Sequence, residues 1–304
     1  MGGHGNMATL DALYKAEKER GFKTYIVHDE SVGAAAAGGY FKATGKPGLL
    51  FVTNGPGMMQ AIPGLVEQAM ENSAIIVVSG DIPTAQWGYG AEEELDIYQD
   101  DDQTTLYRGF AKRIFNVVDP KQIPDAVVRA YTTAMGGRTG VVLINIPVDV
   151  QSKVITKEML EKDYRLKERA IIDRPRGSRE AVEKAAELLA NAEAPMIICG
   201  VGAVISDASD EVIELAELLD APVGTAYMGQ AIIGGNNPYY AGRVGGWGNK
   251  YANQAAWNSD VIITLGNKFD PLGCCVMCCH ETGTAQTNNY NINCIFFVHY
   301  VLLF

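Results

Sequence analysis

An acidic pair, Asp29-Glu30, separates a short apolar run from a stretch of small residues that favours a helix. In this place Asp29 would cap the helix, and Glu30 in its first turn would interact favourably with the helix dipole. A glutamate whose pKa is raised by partial burial can also act as a general acid or base. The residue types alone leave both interpretations of Glu30 open.

A second candidate is the turn Gly55-Pro56-Gly57, which follows the apolar run GLLFVT. Pro56 fixes its own backbone and the two glycines permit tight geometry, so the tripeptide predicts a turn from a strand into a helix. On these residues alone the turn needs no ligand.

Both candidates lie in a segment that alternates between strand-like and helix-like patterns. Five short apolar runs predict buried parallel strands: KTYIVH, GLLFVT, AIIVVSG, RIFNVV and GVVLINIP. Helix candidates lie between them, one with Asp119 as N-cap and Pro120 at its first position. This alternation predicts a doubly wound α/β domain with a mostly parallel sheet at residues 1–150.

A second, smaller α/β domain is predicted at residues 178–271, where helix and strand patterns alternate again. Residues 151–177 are rich in Lys, Glu and Arg and predict an exposed linker. Residues 272–304 show neither periodicity before a final apolar decamer, and predict an irregular tail. That decamer is too short to cross a membrane.

The composition is that of a globular protein, and it excludes several classes of function. A net charge of -11 argues against a nucleic-acid partner, because phosphate binding needs a basic face. We find no charged-then-apolar leader and no run of 18 apolar residues, and expect a cytoplasmic protein without a membrane partner. Five of the six cysteines crowd into the tail, unlike a secreted disulfide framework.

Three motifs carry a resemblance to a known family: ATGKPGLLFVTNGPG at 43–57, SGDIPT at 79–84 and VLINIPVDV at 142–150. Together they resemble the thiamine-diphosphate enzymes of the acetolactate synthase type, over residues 2–270. In that family a helix that begins with a glutamate runs through Ala and Gly into GYARATGKPG, and here residues 38–48 read GGYFKATGKPG. The resemblance therefore implies that Glu30 is the catalytic glutamate.

The resemblance implies a carboligase that decarboxylates a 2-oxo acid, with pyruvate expected, and adds the carbanion to a second carbonyl compound. The family glutamate hydrogen-bonds the aminopyrimidine ring of thiamine diphosphate and favours its imino form, which removes the proton from the thiazolium carbon. Membership would also imply branched-chain amino acid biosynthesis and a dimer or tetramer, because family active sites form between two chains.

Further cofactor-binding residues follow from the same resemblance. Gly55, Pro56 and Gly57 correspond to a family turn that lies against the pyrimidine ring. Gly2-Gly3 corresponds to a glycine turn close to the active site, which makes Gly3 a cofactor-binding candidate.

Two substrate candidates are implied in the same way. Lys112 matches a family lysine near the substrate or flavin channel, although an exposed lysine before a strand is the commoner explanation. Glu92 and Glu93 stand where relatives commonly have Phe-Gln beside the substrate. Glu93 is therefore a substrate candidate, and the substrate preference stays open.

Relatives continue into a third domain, whose Gly-Asp-Gly and downstream asparagine bind Mg2+ and the diphosphate. We find no such motif, and expect the Mg2+ ligands in a missing domain and an isolated chain that is inactive or nearly so. The partner would be a second copy or a chain that supplies the diphosphate-binding domain. The first strand and helix of the first domain would also be missing, which would expose a sheet edge and leave that domain incomplete.

Other functions stay open beside this one. Glu92 and Glu93 suit a relative that uses another 2-oxo acid or sulfoacetaldehyde. A non-catalytic nucleotide-binding or regulatory module could be built on the second domain, where Gly200 and Gly202 give half of a dinucleotide motif. Flavin-using relatives hold FAD there, so FAD binding stays open. The cysteine cluster at 274–280 offers zinc ligands, but no second pair at finger spacing.

Overall fold

The computed structural model describes residues 2–95, 102–156, 172 and 177–268, and the backbone of residues 293–297. The chain divides into two compact units, Met1–Asp173 and Arg174–Phe304. Each unit is an α/β structure built on a parallel sheet, as the sequence predicts.

The first unit is built on a four-stranded parallel sheet with the strand order β1-β2-β4-β3. In chain order its elements are α1 (Met7–Arg20), α2 (Glu30–Thr44), β1 (Gly48–Val52), α3 (Pro56–Met70), β2 (Ile75–Asp81), β3 (Arg113–Asn116), α4 (Ile123–Met135), β4 (Val141–Pro147) and α5 (Val148–Gln151). Leu50 pairs with Val77, and Val77 with Leu143, across the first three strands. These buried side chains form one core with helices α2 and α3.

One predicted strand of this unit does not form. The runs GLLFVT, AIIVVSG, RIFNVV and GVVLINIP become β1 to β4, but residues 21–29 have no regular secondary structure. Tyr25 and Ile26 are 82% and 86% exposed. A strand is defined by backbone hydrogen bonds to a neighbour, and among the described residues β1 pairs only with β2, so residues 21–29 do not pair with its open edge. The prediction of a buried strand at KTYIVH is therefore wrong.

Helix α2 is fixed at both ends and along one face. The Asp29 carboxylate accepts from the backbone N of Ser31 at 2.8 Å, and Gly45 ends the helix at φ 67°. Ala34 and Ala37 are buried in the core that α2 shares with α3. The position of Glu30, the first residue of α2, is therefore determined by the packing of two helices.

The second unit is a five-stranded parallel sheet with the strand order β7-β6-β5-β8-β9. Its elements are α6 (Arg179–Ala190), β5 (Pro195–Cys199), α7 (Val201–Ile205), α8 (Ser209–Leu219), β6 (Val223–Thr225), β7 (Tyr240–Arg243), α9 (Lys250–Asn258), β8 (Val261–Leu265) and β9 (Asn293–Phe297). Ile197, Val223 and Ile263 lie in its core. Strand β9 belongs to the tail that we predicted to be irregular, and the cysteine cluster at 274–280 lies outside the described residues.

Candidate functional site

Glu30 is the first residue of helix α2 and is only 5% exposed. The capping function belongs to its neighbour Asp29, which accepts hydrogen bonds from the hydroxyl and the backbone N of Ser31. The hydroxyl bond is the main reason why the pKa of Asp29 lies below its usual value. Capping therefore does not account for the burial of Glu30, and a buried carboxyl group is a candidate for proton chemistry.

The turn Gly55-Pro56-Gly57 joins β1 to α3 and lies beside Glu30. Gly55 has φ 56° and ψ -112°, a conformation that favours glycine, and Pro56 is the first residue of α3. A Cβ added to Gly57 would lie 3.7 Å from Oε1 of Glu30 and 2.8 Å from Cγ2 of Thr53. The Glu30 carboxyl group thus lies next to bare backbone.

Two more predicted site residues meet the same turn. A Cβ on Gly55 would collide with the backbone carbonyl oxygen of Glu93, which itself has φ 67°. A Cβ on Gly3 would collide with Oγ1 of Thr53, the residue that follows β1. At the carboxyl end of β1 the structure therefore brings together six of the predicted positions: Gly3, Glu30, Gly55, Pro56, Gly57 and Glu93.

Lys112 lies at the opposite edge of the sheet. Its backbone N donates to the carbonyl of Val141, the first residue of β4, at 2.8 Å. Its ammonium group donates to three carbonyl oxygens that follow or end helix α4, those of Thr133, Gly136 and Arg138. The ammonium group thus caps the C-terminal end of α4. The structure does not bring Lys112 to the other candidates, and its substrate role stays a prediction.

Sequence analysis missed the role of three buried polar side chains next to the glycine turn. Asp81 ends β2, Asn145 lies in β4, and Gln103 opens a short 3-10 helix; they are 6%, 2% and 4% exposed. Gln103 Oε1 accepts from the backbone N of Gly55 at 3.0 Å, and its Nε2 donates to Asn145 Oδ1 at 2.9 Å and to the Gly80 carbonyl at 2.8 Å. Asn145 Nδ2 donates to Asp81 Oδ2 at 2.8 Å. The sequence signal that could have revealed this network is Asn145, a polar amide within the apolar run VLINIP.

Asp81 is a buried ionisable group within this network. Burial raises its pKa to about 6, and the charge of Asp102 adds to the rise. Hydrogen bonds from Asn145 and from the backbone N of Ile82, at 2.8 Å, oppose it by stabilising the ionised form. At neutral pH the network therefore contains a buried carboxylate.

Two models of one protein family match the chain. Residues 2–105 match the thiamine pyrophosphate enzyme N-terminal TPP binding domain, and residues 182–275 match the central domain of the same enzymes. The two matches together cover more than half of the chain. The chain belongs to the thiamine pyrophosphate enzyme family. The family that the sequence motifs predict is confirmed.

Curated relatives of this thiamine pyrophosphate enzyme chain agree. The chain is 32% identical to the acetolactate synthase of Arthrospira platensis over 273 residues. This alignment covers 88% of the chain and 46% of the relative. The chain is 34% identical over 265 residues to the acetolactate synthase large subunit of Cyanidium caldarium, with 86% and 44% covered. A sulfoacetaldehyde acetyltransferase of Alcaligenes xylosoxydans xylosoxydans is 31% identical over 248 residues, with 82% and 39% covered. The chain spans less than half of the length of these relatives.

The residues around Glu30 fit one part of the cofactor that gives the thiamine pyrophosphate enzymes their name. The aminopyrimidine ring is flat and carries nitrogen atoms that accept and donate hydrogen bonds. Glu30 offers a buried carboxyl group, and the backbone at Gly57 offers a surface without a side chain. These features suit a flat heterocycle with a hydrogen bond at its edge.

The described residues of this family member offer less support for a metal site or a flavin site. No group of three His, Cys, Asp or Glu among those residues could hold a metal ion. In the second unit, a Cβ on Gly202 would lie 2.8 Å from Cα of Gly266, so close backbone packing explains this glycine. FAD binding there stays a prediction. Among the residues that the structure describes, none of the helices combines the length and the hydrophobicity of a membrane span.

Proposed function

We propose that the first unit forms the pyrimidine-binding side of the active site of a thiamine-diphosphate-dependent carboligase. The enzyme decarboxylates a 2-oxo acid, with pyruvate as the proposed donor, and adds the remaining fragment to a second carbonyl compound. The observation that carries the proposal is the buried Glu30 carboxyl group beside the glycine turn, in a chain of this family. The similarity to acetolactate synthases supports the reaction class.

Glu30 is the proposed catalytic residue. Its carboxyl group hydrogen-bonds a ring nitrogen of the cofactor and shares a proton with it. Because the side chain is 5% exposed, water competes little for this hydrogen bond. An aspartate would be one methylene group shorter and would not reach from the same helix position. Thiamine diphosphate, when bound, supplies the nucleophilic carbon and the electron sink for decarboxylation.

The remaining residues of the site position the ring and the substrate. We assign Gly3, Gly55, Pro56 and Gly57 to the ring surface, because they meet at the carboxyl end of β1 beside Glu30. Glu93 is the proposed substrate contact, since its backbone lies against Gly55.

The diphosphate and its Mg2+ ion need ligands of their own, because the negative charges of a diphosphate require a cation or a set of backbone N–H groups. The described residues offer no metal cluster. We propose that these ligands come from a diphosphate-binding domain outside the described residues, in a dimer or tetramer in which this chain meets a second copy or a chain that carries that domain.

The test combines this chain with the part of an acetolactate synthase large subunit that the chain does not cover. With thiamine diphosphate, Mg2+ and pyruvate, we expect carbon dioxide release and acetolactate formation, and neither from the separate parts. Glu30→Gln should lower the rate by at least about 100-fold, the usual contribution of a general acid or base. The control is Glu67→Gln, the same change at an exposed position of helix α3. A rate that Glu30→Gln leaves unchanged would defeat the proposal.

A second candidate function is the same chemistry with a different donor. Glu92 and Glu93 introduce carboxylates where relatives commonly have Phe-Gln, and the chain is also similar to a sulfoacetaldehyde acetyltransferase. Product analysis with pyruvate, longer 2-oxo acids and sulfoacetaldehyde as donors separates the two. Acetyl transfer from sulfoacetaldehyde, without acetolactate from pyruvate, would favour the second candidate.

A further inference from the structure

The buried network of Asp81, Asn145 and Gln103 links strands β2 and β4 to the glycine turn. Gln103 accepts the backbone N–H of Gly55, the residue with φ 56°. The chain of hydrogen bonds then continues through Asn145 to the Asp81 carboxylate and ends at the backbone N–H of Ile82. The network thus connects the glycine turn to a buried charge.

The backbone fixes the direction of every bond in this network. A backbone N–H only donates and a carbonyl only accepts, so Gly55 and Gly80 force the amide of Gln103 to present its oxygen to Gly55 and its nitrogen to Asn145. Asn145 must then accept with its oxygen and donate with its nitrogen. Position 81 receives two donors and needs a group that only accepts.

An ionised carboxylate at position 81 meets this requirement. Its two oxygens accept separately, one from Asn145 and the other from the N–H of Ile82. A carboxamide or a protonated carboxyl group would bring a donor against one of these donors, and one buried hydrogen bond would be lost. The charge of Asp81 is therefore the condition for a complete network.

We propose that Asp81 is a positioning residue, whose ionised carboxylate completes the network that holds the Gly55-Pro56-Gly57 turn in its shape. The positioning of the turn by Asp81 follows from the contacts of this chain alone. Only the identity of the ring that binds against the turn rests on the proposed function. Asp81 acts through Asn145 and then Gln103, and Gln103 accepts the backbone N–H of Gly55 in the turn.

The surroundings of Asp81 make the hydrogen-bond network that positions the turn pH-dependent. Burial raises the pKa of this carboxyl group to about 6, with a further rise from the charge of Asp102 beside Gln103. From β4 it faces the neutral amide of Asn145, and Asp149 at the start of α5 instead accepts from the backbone N and the hydroxyl of Thr84. The network is complete at neutral pH and loses one bond as the pH falls below about 6.

Exchanging the two residue types provides a sharp test. In Asp81→Asn the carboxamide carries a donor that has no acceptor. In the double variant Asp81→Asn with Asn145→Asp, the new Asn donates to the new Asp and still accepts from Ile82, while the new Asp also accepts from Gln103. The double variant keeps the composition and restores the direction of every bond. Asp149→Asn is the matched control at a carboxylate that lies outside the network.

The first readout is amide hydrogen exchange of Gly55 in the full chain without ligand, relative to Leu143 in the core of β4. We expect Asp81→Asn to raise the relative exchange rate at least tenfold, and the double variant and Asp149→Asn to stay within about threefold of the unsubstituted chain. Corrected for intrinsic exchange, the unsubstituted chain should show the same rise from pH 7 to pH 5. The proposal is overturned if Gly55 exchange is unchanged in Asp81→Asn, or if it does not recover in the double variant. If the variants do not fold, the pH series of the unsubstituted chain decides alone.

The second readout is the calorimetric affinity of the same proteins for thiamine diphosphate with Mg2+. We expect the affinity to fall in Asp81→Asn and to recover in the double variant. If the unsubstituted chain binds no thiamine diphosphate while Gly55 exchange behaves as described, the proposed function fails and the positioning by Asp81 stands. If binding is normal and Gly55 exchange in Asp81→Asn is unchanged, the positioning by Asp81 fails and the proposed function stands.

Discussion

Gly64 of helix α3 lies directly against the backbone carbonyl of Ser31, the residue after Glu30. A Cβ on Gly64 would overlap the Ser31 carbonyl oxygen and would lie 2.9 Å from Cβ of Ala34. Real Cβ atoms do not approach backbone so closely. Helices α2 and α3 can therefore be in contact here only because Gly64 has no side chain. This contact fixes the first turn of α2 and the depth at which Glu30 is buried.

Gly64→Ala should therefore destabilise the first unit, although alanine is the better helix former. Overpacking costs about 1 to 3 kcal/mol, and the helix propensity of alanine returns about 1 kcal/mol. Gly39→Ala is the matched control, because position 39 in α2 has open space and should gain up to about 1 kcal/mol. Urea titration of both variants measures the difference, and equal stabilities would contradict this packing.

The titration of Asp81 should give the first unit a distinctive pH dependence. Its pKa is about 6 in the folded chain against 3.8 in the unfolded chain, so the folded chain holds this proton more tightly. The contribution of this group to stability is therefore greatest below about pH 4 and is lost as the pH rises to about 6, by about 3 kcal/mol. The loss is the cost of the buried charge that the network requires.

The check is the free energy of unfolding of Asp81→Asn minus that of the unsubstituted chain, measured from pH 4 to pH 7. The missing hydrogen bond shifts this difference by a constant, whereas the missing titration makes it increase with pH up to about pH 6. A flat difference for Asp81→Asn would mean that the carboxyl group titrates normally.

Four of the five apolar runs that predict strands in the first unit form strands. AIIVVSG and GVVLINIP became β2 and β4, which lie inside the sheet and pair on both sides. KTYIVH has a similar pattern but failed, because pairing depends on a neighbouring strand that a local pattern does not contain. Tyr25 and Ile26 are accordingly exposed.

In the candidate site, too, some features can be read from short sequence motifs, whereas others depend on contacts between residues far apart in the sequence. Glu30 is buried and lies next to the glycine turn, and motifs close to both in the sequence drew attention to them. The link from Gly55 through Gln103 and Asn145 joins residues 48 and 42 positions apart. Such a link depends on the strand order, so only the polar residue within an apolar strand gave any sign of it.

The buried side chain of Tyr107 bonds to the first turn of helix α3. Its ring is fully buried, and its hydroxyl donates to the carbonyl of Met58 at 2.9 Å. Tyr107→Phe removes one buried hydrogen bond without a large cavity, so we expect a loss of about 1 kcal/mol in urea titration. Tyr89→Phe, at a side chain that is 85% exposed, is the control and should change the stability little. A loss as small as that of the control would show that the bond adds nothing.

Lys112 allows the structural and the substrate interpretations of one residue to be separated. Its ammonium group donates to the carbonyls of Thr133, Gly136 and Arg138 at the end of α4, and burial together with Arg138 lowers its pKa. Lys112→Met keeps the length of the side chain and removes these bonds, so we expect a loss of about 1 to 2 kcal/mol in the free energy of unfolding.

The same variant should leave the KM for pyruvate unchanged in the combined assay, because Lys112 lies at the amino end of β4 and the glycine turn follows the carboxyl end of β1. Lys121→Met is the control, since Lys121 is exposed and precedes the N-terminal end of α4, where a positive charge is unfavourable. That change should be neutral or slightly stabilising. A raised KM with unchanged stability in Lys112→Met would instead assign this lysine to the substrate.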